Sequence, residues 1–165
     1  LGYLKTPAVY CAFPVDPYSH TPGGRGARQP GMTGQVKEEV LTRRAELGLQ
    51  VEDGRLVFRP LLLRPEEWTD DATPFRYRDV SGTPREADVP SPGLAFTFCQ
   101  VPVVYGRGPA PAVQVRYADG STATHPGDRL PADVSTEVFR RTGAVESIVV
   151  TLPDDDGAVR GSAGR

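Results

Sequence analysis

The feature that most constrains the fold is a change in the spacing of apolar residues at Gly48. Before Gly48, apolar residues recur at helical spacing, and after it apolar and polar residues alternate in short segments separated by turn signals. The 165 residues include 18 Gly and 17 Pro, a composition that favours turns over long helices. The sequence therefore predicts a mainly β fold, an antiparallel β-sandwich with an N-terminal extended arm and loop and one amphipathic helix.

Two dipeptides predict the tips of hairpins. Asp53-Gly54 separates the segments LQVE and RLVFRPLLL, and Asp119-Gly120 separates AVQVRY from STATH. Asp53-Gly54 suits a type I′ turn, because the two central residues of that turn need positive φ angles, and Asp119-Gly120 marks the tip of a second hairpin.

Further elements are predicted in the second half of the chain. Residues 94–105, LAFTFCQVPVVY, are typical of one strong strand, and residues 145–152, VESIVVTL, of a strand that closes the sheet. Between them, a short helix is predicted through Val138 and Phe139, with Asp133 or Ser135 as its N-cap.

The stretch 15–47 concentrates most of the polar chemistry of the chain. It is an irregular loop rich in Gly and Pro that leads into the predicted helix, for which Thr33 is a suitable N-cap and Gly48 a C-terminal stop. A loop of this length is usually either functional or disordered. Its varied polar side chains favour a functional loop over a plain linker.

Glu38 and Glu39 lie in the first turns of the predicted helix. Adjacent residues on a helix point about 100° apart, so only one of the two can face a cleft as a catalytic base. Glycoside hydrolysis needs two separated carboxylates, and Asp16 with one of these glutamates could supply them. The alternative is a solvent-exposed helix face whose charges complement the helix dipole.

Composition excludes several classes of function. A formal charge of -2 and a pI near 5.7 disfavour binding to nucleic acid or to an anionic membrane, and no segment has the length of a membrane span. Cys11 and Cys99 lack metal-ligand spacing, and two histidines are too few for a histidine-rich metal site. The glycine-rich run GGRGARQPG does not fit a phosphate-binding motif. The sequence predicts no cofactor, no metal and a cytoplasmic location.

The run DPYSHTPGGRGARQPGMTGQVKEEVLTR resembles the closing segment of the catalytic barrel in large bacterial glycoside-hydrolase-like proteins of the six-hairpin type. The following LGLQVEDGRLVFRPLLL resembles the entry into the C-terminal β-sandwich of such glycosidases and phosphorylases. The resemblance implies that Glu38 or Glu39 is a general base. It also implies that a set of polar residues lies near the sugar, namely Asp16, Tyr18, His20, Arg25, Arg28, Gln29 and Gln35.

The chain is expected to have three parts. The resemblance implies that residues 1–48 end a larger catalytic domain and that residues 49–153 form the β-sandwich. Residues 154–165 have too little apolar surface to pack and are expected to be a disordered tail. Because the chain begins on Leu1 within an extended segment, a fragment of a longer protein is expected. Without the barrel, the chain alone should not turn over substrate.

The resulting hypothesis is a domain that buttresses a sugar-binding active site, with carbohydrate or the rest of a larger chain as its partner. One alternative is a carbohydrate-binding module in which exposed Trp68, Tyr77 or Tyr105 stacks on sugar rings. A second alternative is a structural domain that forms homo-oligomers through its N-terminal arm and helix. Aromatic residues buried in the core would count against the first alternative.

Overall fold

The computed structural model describes residues 32–153, with side chains from residue 38 onwards. Two α-helices and a short 3₁₀ helix accompany nine strands. The helices are α1 (Met32–Glu46), the 3₁₀ helix (Pro65–Glu67) and α2 (Ala132–Arg140). The strands are β1 (Leu49–Glu52), β2 (Arg55–Phe58), β3 (Thr73–Arg78), β4 (Pro84–Val89), β5 (Gly93–Phe98), β6 (Val101–Gly108), β7 (Ala112–Tyr117), β8 (Thr122–Pro126) and β9 (Val145–Pro153).

The strands form two hairpins and one larger sheet. β1 pairs with β2 and β3 pairs with β4, in both cases antiparallel, while the larger sheet has the order β5-β6-β9-β7-β8. The predicted turn at Asp53-Gly54 is confirmed, since both residues have positive φ angles, of 49° and 74°. The prediction of a mainly β fold is also confirmed.

The core lies on one face of the larger sheet. The side chains of Val103, Tyr105 and Ile148 point to this face and pack with residues of the β1-β2 hairpin and of α2. On the opposite face of β6, Pro90 at the end of β4 lies against Gly106, so the β3-β4 hairpin covers that side. The sheet is thus covered on both faces, a sandwich-like arrangement of layers.

Residues 94–105 differ from the prediction of a single strand. They form β5 and β6, which are joined by a tight turn at Cys99 and Gln100 and pair antiparallel. Both turn residues have positive φ angles, of 51° and 66°. Neither is the glycine or asparagine that usually marks such a turn, and for that reason the sequence pattern did not reveal it.

The prediction that residues 145–152 close the sheet is wrong. β9 lies at the centre of the five strands, parallel to β6 and antiparallel to β7, so the sheet is mixed. A central position suits its run of β-branched residues, because a strand with neighbours on both sides is largely buried.

The predicted short helix is present as α2, but neither proposed N-cap caps it. The N-cap position is Pro131, and the buried Ser135 lies inside the helix. The Ser135 hydroxyl accepts a hydrogen bond from the Leu56 amide (3.0 Å) and donates one to the Pro131 carbonyl (2.8 Å). Ser135 therefore ties α2 to β2 by satisfying a buried backbone donor.

α1 begins at Met32, one residue before the predicted N-cap Thr33. The chain divides into two compact units, Leu1–Arg44 and Ala45–Arg165. Within residues 32–153, neither α-helix combines the length and the apolar character that crossing a membrane requires.

Candidate functional site

The structure places three of the nine predicted site residues within described elements. Glu38 and Glu39 lie on α1 with both side chains exposed, and Gln35 belongs to the same helix. The other six predictions lie outside the described residues, namely Asp16, Tyr18, His20, Arg25, Arg28 and Gln29. The roles assigned to all nine stay predictions.

The three aromatic residues considered as sugar platforms do not share an exposed face. Tyr105 is fully buried, and its hydroxyl donates a hydrogen bond to the Leu47 carbonyl (2.7 Å). Tyr77 is half-buried and stacks on Phe75, with 6.1 Å between the ring centroids. Trp68 is half-buried against the core. This arrangement counts against a flat aromatic surface for stacking on sugar rings.

An open cavity of about 440 Å³ lies in the part of the chain that forms the strands, and it is here called the cleft. Trp68, which follows the 3₁₀ helix, lines it together with the ends of β2, β6 and β9 and the loop after β8. The residues of its wall that bear on function are Arg59, Leu61, Leu63, Trp68, Arg107 and Asp128. Its volume lies within the range of small-molecule sites, roughly 300 to 1,000 Å³.

Two arginines and two carboxylates form a charge-balanced network on one wall of the cleft. Arg59 donates to Asp128 (2.5 Å) and to Glu52 (2.6 Å), and Arg129 pairs with the same two carboxylates. Burial opposes ionisation of Asp128. The hydrogen bonds from Arg59 and Arg129 outweigh that effect, and the pKa of Asp128 lies below its ordinary value. This network fixes the wall but carries no net charge.

Arg107 and Trp68 form another wall of the cleft. The Arg107 guanidinium carbon lies 4.3 Å from the centroid of the indole ring, a cation-π contact. One of its nitrogens also donates to the Pro153 carbonyl (3.1 Å). Because two contacts hold the exposed guanidinium, its planar set of N–H donors is orientated before any ligand arrives.

The segment after β2 exposes apolar side chains beside the cleft. Leu61 is 87% exposed and Leu62 is 64% exposed, whereas the next residue, Leu63, packs on the core. Burying a leucine side chain is worth about 1.5–3 kcal/mol, so two adjacent exposed leucines leave a substantial apolar contribution unused. The structure thus presents a small apolar patch, Leu61–Leu62, next to a polar cleft.

The cleft combines residues that the sequence pattern did not bring together. Trp68 alone was considered as a binding residue, and Arg59, Arg107 and Asp128 were not. These four residues lie far apart in the chain, and the pairing of β6 with β9 determines where Arg107 and Pro153 meet. The available signal was weak: Trp68 is the only tryptophan, and it stands in a proline-rich stretch between strands.

A second polar feature, the turn between β3 and β4, is organised by Asp79. Its carboxylate accepts hydrogen bonds from the Ser81 hydroxyl (2.6 Å), the Arg85 guanidinium (3.0 Å) and the Thr83 amide (3.0 Å). The Ser81 hydroxyl and then Arg85 are the main causes that lower the pKa of Asp79 to about 2. The depressed pKa gives this turn a measurable pH dependence.

We expect the Asp79 turn to stay closed until strongly acidic pH. A carboxyl group whose pKa is depressed on folding stabilises the fold above its unfolded pKa of about 3.9, and that contribution is lost as the pH falls through about 2. NMR titration of the Asp79 carboxyl carbon measures its pKa. Hydrogen exchange of the Ser81 and Thr83 amides measures whether the turn stays closed. A titration midpoint at or above the ordinary value would contradict it. In Asp79→Asn, the Ser81 and Thr83 amides should exchange faster than in the wild-type protein at the same pH.

Among the residues that the structure describes, no group of three or more His, Cys, Asp or Glu side chains could hold a metal ion. Cys99 is a free, half-buried thiol. In comparisons with known proteins, the chain matches no protein-family model and no curated protein.

Proposed function

We propose that the chain is an accessory β domain of a larger carbohydrate-active protein, which buttresses a sugar-binding active site without being active alone. The observation that carries this proposal is the exposed patch Leu61–Leu62, with 87% and 64% of the two side chains in solvent. We propose that the patch packs against the catalytic part of the larger chain. The resemblance of residues 15–47 to the last segment of a glycosidase barrel supports the choice of that partner.

The position of the patch suits a docking role. Leu63 anchors one end of the segment in the core, and Pro60 restricts the backbone at the other end. The two leucines are therefore presented on a constrained backbone, which lowers the entropy lost when a partner orders them. A single exposed leucine would be ordinary on any protein surface, but two together at the rim of a cleft favour an interface.

The site residues enter the proposal through the resemblance. Glu38 or Glu39 would act as the general base, and the loop residues Asp16 and His20 would contact the sugar along with the other polar residues named above. Both glutamates are exposed on α1, where a substrate or a neighbouring domain could reach them. A cytoplasmic location and a bacterial source belong to the same proposal.

A second candidate function is self-association through α1. Val40 and Leu41 are each 62% exposed on this helix, and exposed apolar side chains on a helix favour a partner surface. In this candidate a second copy of the chain covers the exposed apolar residues, whereas in the first the catalytic part of a larger chain covers them. Sedimentation of the 165-residue chain distinguishes them, because only self-association gives a dimer that Val40→Ser and Leu41→Ser disrupt.

The docking proposal is tested with Leu61→Ser and Leu62→Ser combined, in the longest natural chain that carries this segment. Because both side chains are exposed, the β domain itself should keep its stability. In the longest chain, we expect oligosaccharide turnover to fall at least tenfold, together with the melting temperature. Val51→Ser, at another exposed apolar residue (44%), is the matched control and should change neither. Unchanged turnover and stability in the double variant would reject docking through this patch.

A further inference from the structure

We infer that the cleft binds a saccharide that carries a carboxylate, such as an oligosaccharide containing uronic acids, with Arg107 as the residue that recognises the negative charge. The saccharide part of this inference rests on the proposed function. The choice of an acidic sugar rests on the charges and contacts of the cleft itself.

The charge balance of the cleft singles out Arg107. Arg59 is neutralised by Asp128 and Glu52 on its own wall. Among the side chains of residues 38–153, by contrast, no carboxylate forms an ion pair with Arg107. Among the residues that the structure describes, Arg107 is therefore a positive charge in the cleft wall that a ligand can neutralise, which favours an anion over a neutral molecule.

The geometry of Arg107 suits a carboxylate. The indole of Trp68 covers one side of the guanidinium at 4.3 Å, and the Pro153 carbonyl accepts from one of its nitrogens. An arginine side chain has five N–H donors in a plane, and a carboxylate can accept two of them side by side. Since Trp68 and Pro153 already restrain the side chain, less conformational freedom is lost when the ligand binds.

The remaining walls suit a sugar ring better than a small inorganic anion. Leu63 and Trp68 contribute apolar surface, while Asp128 contributes a carboxylate that can accept hydrogen bonds from hydroxyl groups. A volume of about 440 Å³ is larger than an isolated anion needs and is within the range for small organic ligands. A sugar acid combines the ring, the hydroxyl groups and the negative charge that these walls can contact.

Trp68 makes the inference directly measurable, because it is the only tryptophan in the chain. Its fluorescence reports on the cleft alone when the indole is excited selectively. The 165-residue chain is titrated with a galacturonic acid trisaccharide and, in parallel, with a neutral galactose trisaccharide. We expect the acidic sugar to change the emission of Trp68 and to bind at least tenfold more tightly than the neutral sugar. A higher salt concentration should weaken the binding of the acidic sugar more than the binding of the neutral sugar, because salt screens the attraction between charges.

Variants of Arg107 test the assignment. Arg107→Gln should lower the affinity for the acidic trisaccharide about tenfold, because it removes a charge-assisted hydrogen bond, and should change the affinity for the neutral trisaccharide little. Arg107→Lys keeps the charge but not the planar donors, and should restore part of the affinity. Arg76→Gln is the matched control, since Arg76 is an exposed arginine of β3 outside the cleft. Thermal unfolding of each variant checks that the fold is intact.

Three results would overturn the inference, namely equal affinity for both sugars, unchanged affinity in Arg107→Gln, or no response of Trp68 to either sugar. None of them decides the proposed function, because docking through Leu61–Leu62 is measured separately in the longest natural chain. Failure of docking together with selective binding of the acidic sugar would leave a self-contained binding domain.

Discussion

Replacing Gly48 with alanine is expected to lower the free energy of unfolding by about 4 kcal/mol or more, a large fraction of the roughly 5–15 kcal/mol that stabilises a typical domain. Gly48 has a φ angle of 65°, a conformation that costs a residue with a Cβ atom about 1–2 kcal/mol. A Cβ atom at this position would also overlap the backbone of Arg59 and Pro60. Backbone atoms cannot move aside as the end of a flexible side chain can, so the second cost is the larger.

The position of Gly48 explains why relaxation is difficult. Its amide donates to the Ala45 carbonyl (2.9 Å), and its carbonyl accepts from the Arg59 amide (2.8 Å). Moving Gly48 away from Arg59 would break the hydrogen bond that closes the β1-β2 hairpin beside the cleft. Arg59 and Pro60 line the cleft, and Leu61–Leu62 follow them directly in the chain. Loss of this hydrogen bond should therefore disturb both the cleft and the patch.

Gly54→Ala is the matched control for Gly48→Ala. Gly54 also has a positive φ angle, of 74°, but a Cβ atom there would meet no atom within 4 Å. We therefore expect a loss of about 1–2 kcal/mol from backbone conformation alone. Chemical denaturation of both variants measures the difference. Similar losses in the two variants would show that Gly48 is not sterically restricted.

Replacing Tyr105 with alanine is expected to lower the free energy of unfolding by about 3–5 kcal/mol, as for other large buried aromatic residues. Tyr105 is fully buried in β6 and contacts two rings edge to face, Phe58 at 6.3 Å and Phe96 at 5.3 Å between centroids. Removing the ring therefore removes packing contacts with both the larger sheet and the β1-β2 hairpin. Burial also raises the pKa of the Tyr105 hydroxyl, which keeps it protonated as a donor.

Tyr105→Phe separates the ring from the hydroxyl. It keeps the packing but removes the donor to the Leu47 carbonyl, and we expect a loss of about 1–2 kcal/mol. Denaturation curves of Tyr105→Ala and Tyr105→Phe, measured side by side, therefore apportion the stability between packing and hydrogen bonding. Equal losses in the two variants would mean that the ring contributes little, which would contradict the packing described for the core.

The fold could be predicted where local sequence determines local structure. Asp53-Gly54 marks its hairpin because these residue types tolerate the φ angles that the turn requires. Cys99 and Gln100 form an equivalent turn without that signature, so one predicted strand is in fact two. The central place of β9 depends on long-range pairing with β6 and β7, for which no local signal exists.

The candidate site was less predictable than the fold, for a related reason. Trp68 could be identified as a candidate because it is a lone tryptophan, but its contact with Arg107 exists only after β6 has been placed in the sheet. The ion pair between Arg59 and Asp128 likewise joins residues that are 69 positions apart in the chain. The alternative of a carbohydrate-binding module needed an exposed Trp68, Tyr77 or Tyr105, whereas alternation along β6 directs the Tyr105 side chain into the core.

Amide hydrogen exchange tests most directly the proposed docking of this β domain on a larger carbohydrate-active chain through Leu61–Leu62. The exchange of Leu61 and Leu62 is compared between the 165-residue chain and the longest natural chain that carries it. If Leu61–Leu62 docks, both amides exchange fast in the shorter chain and are protected in the longer one, because a docked segment is shielded from solvent. Equally fast exchange in both chains would contradict the claim.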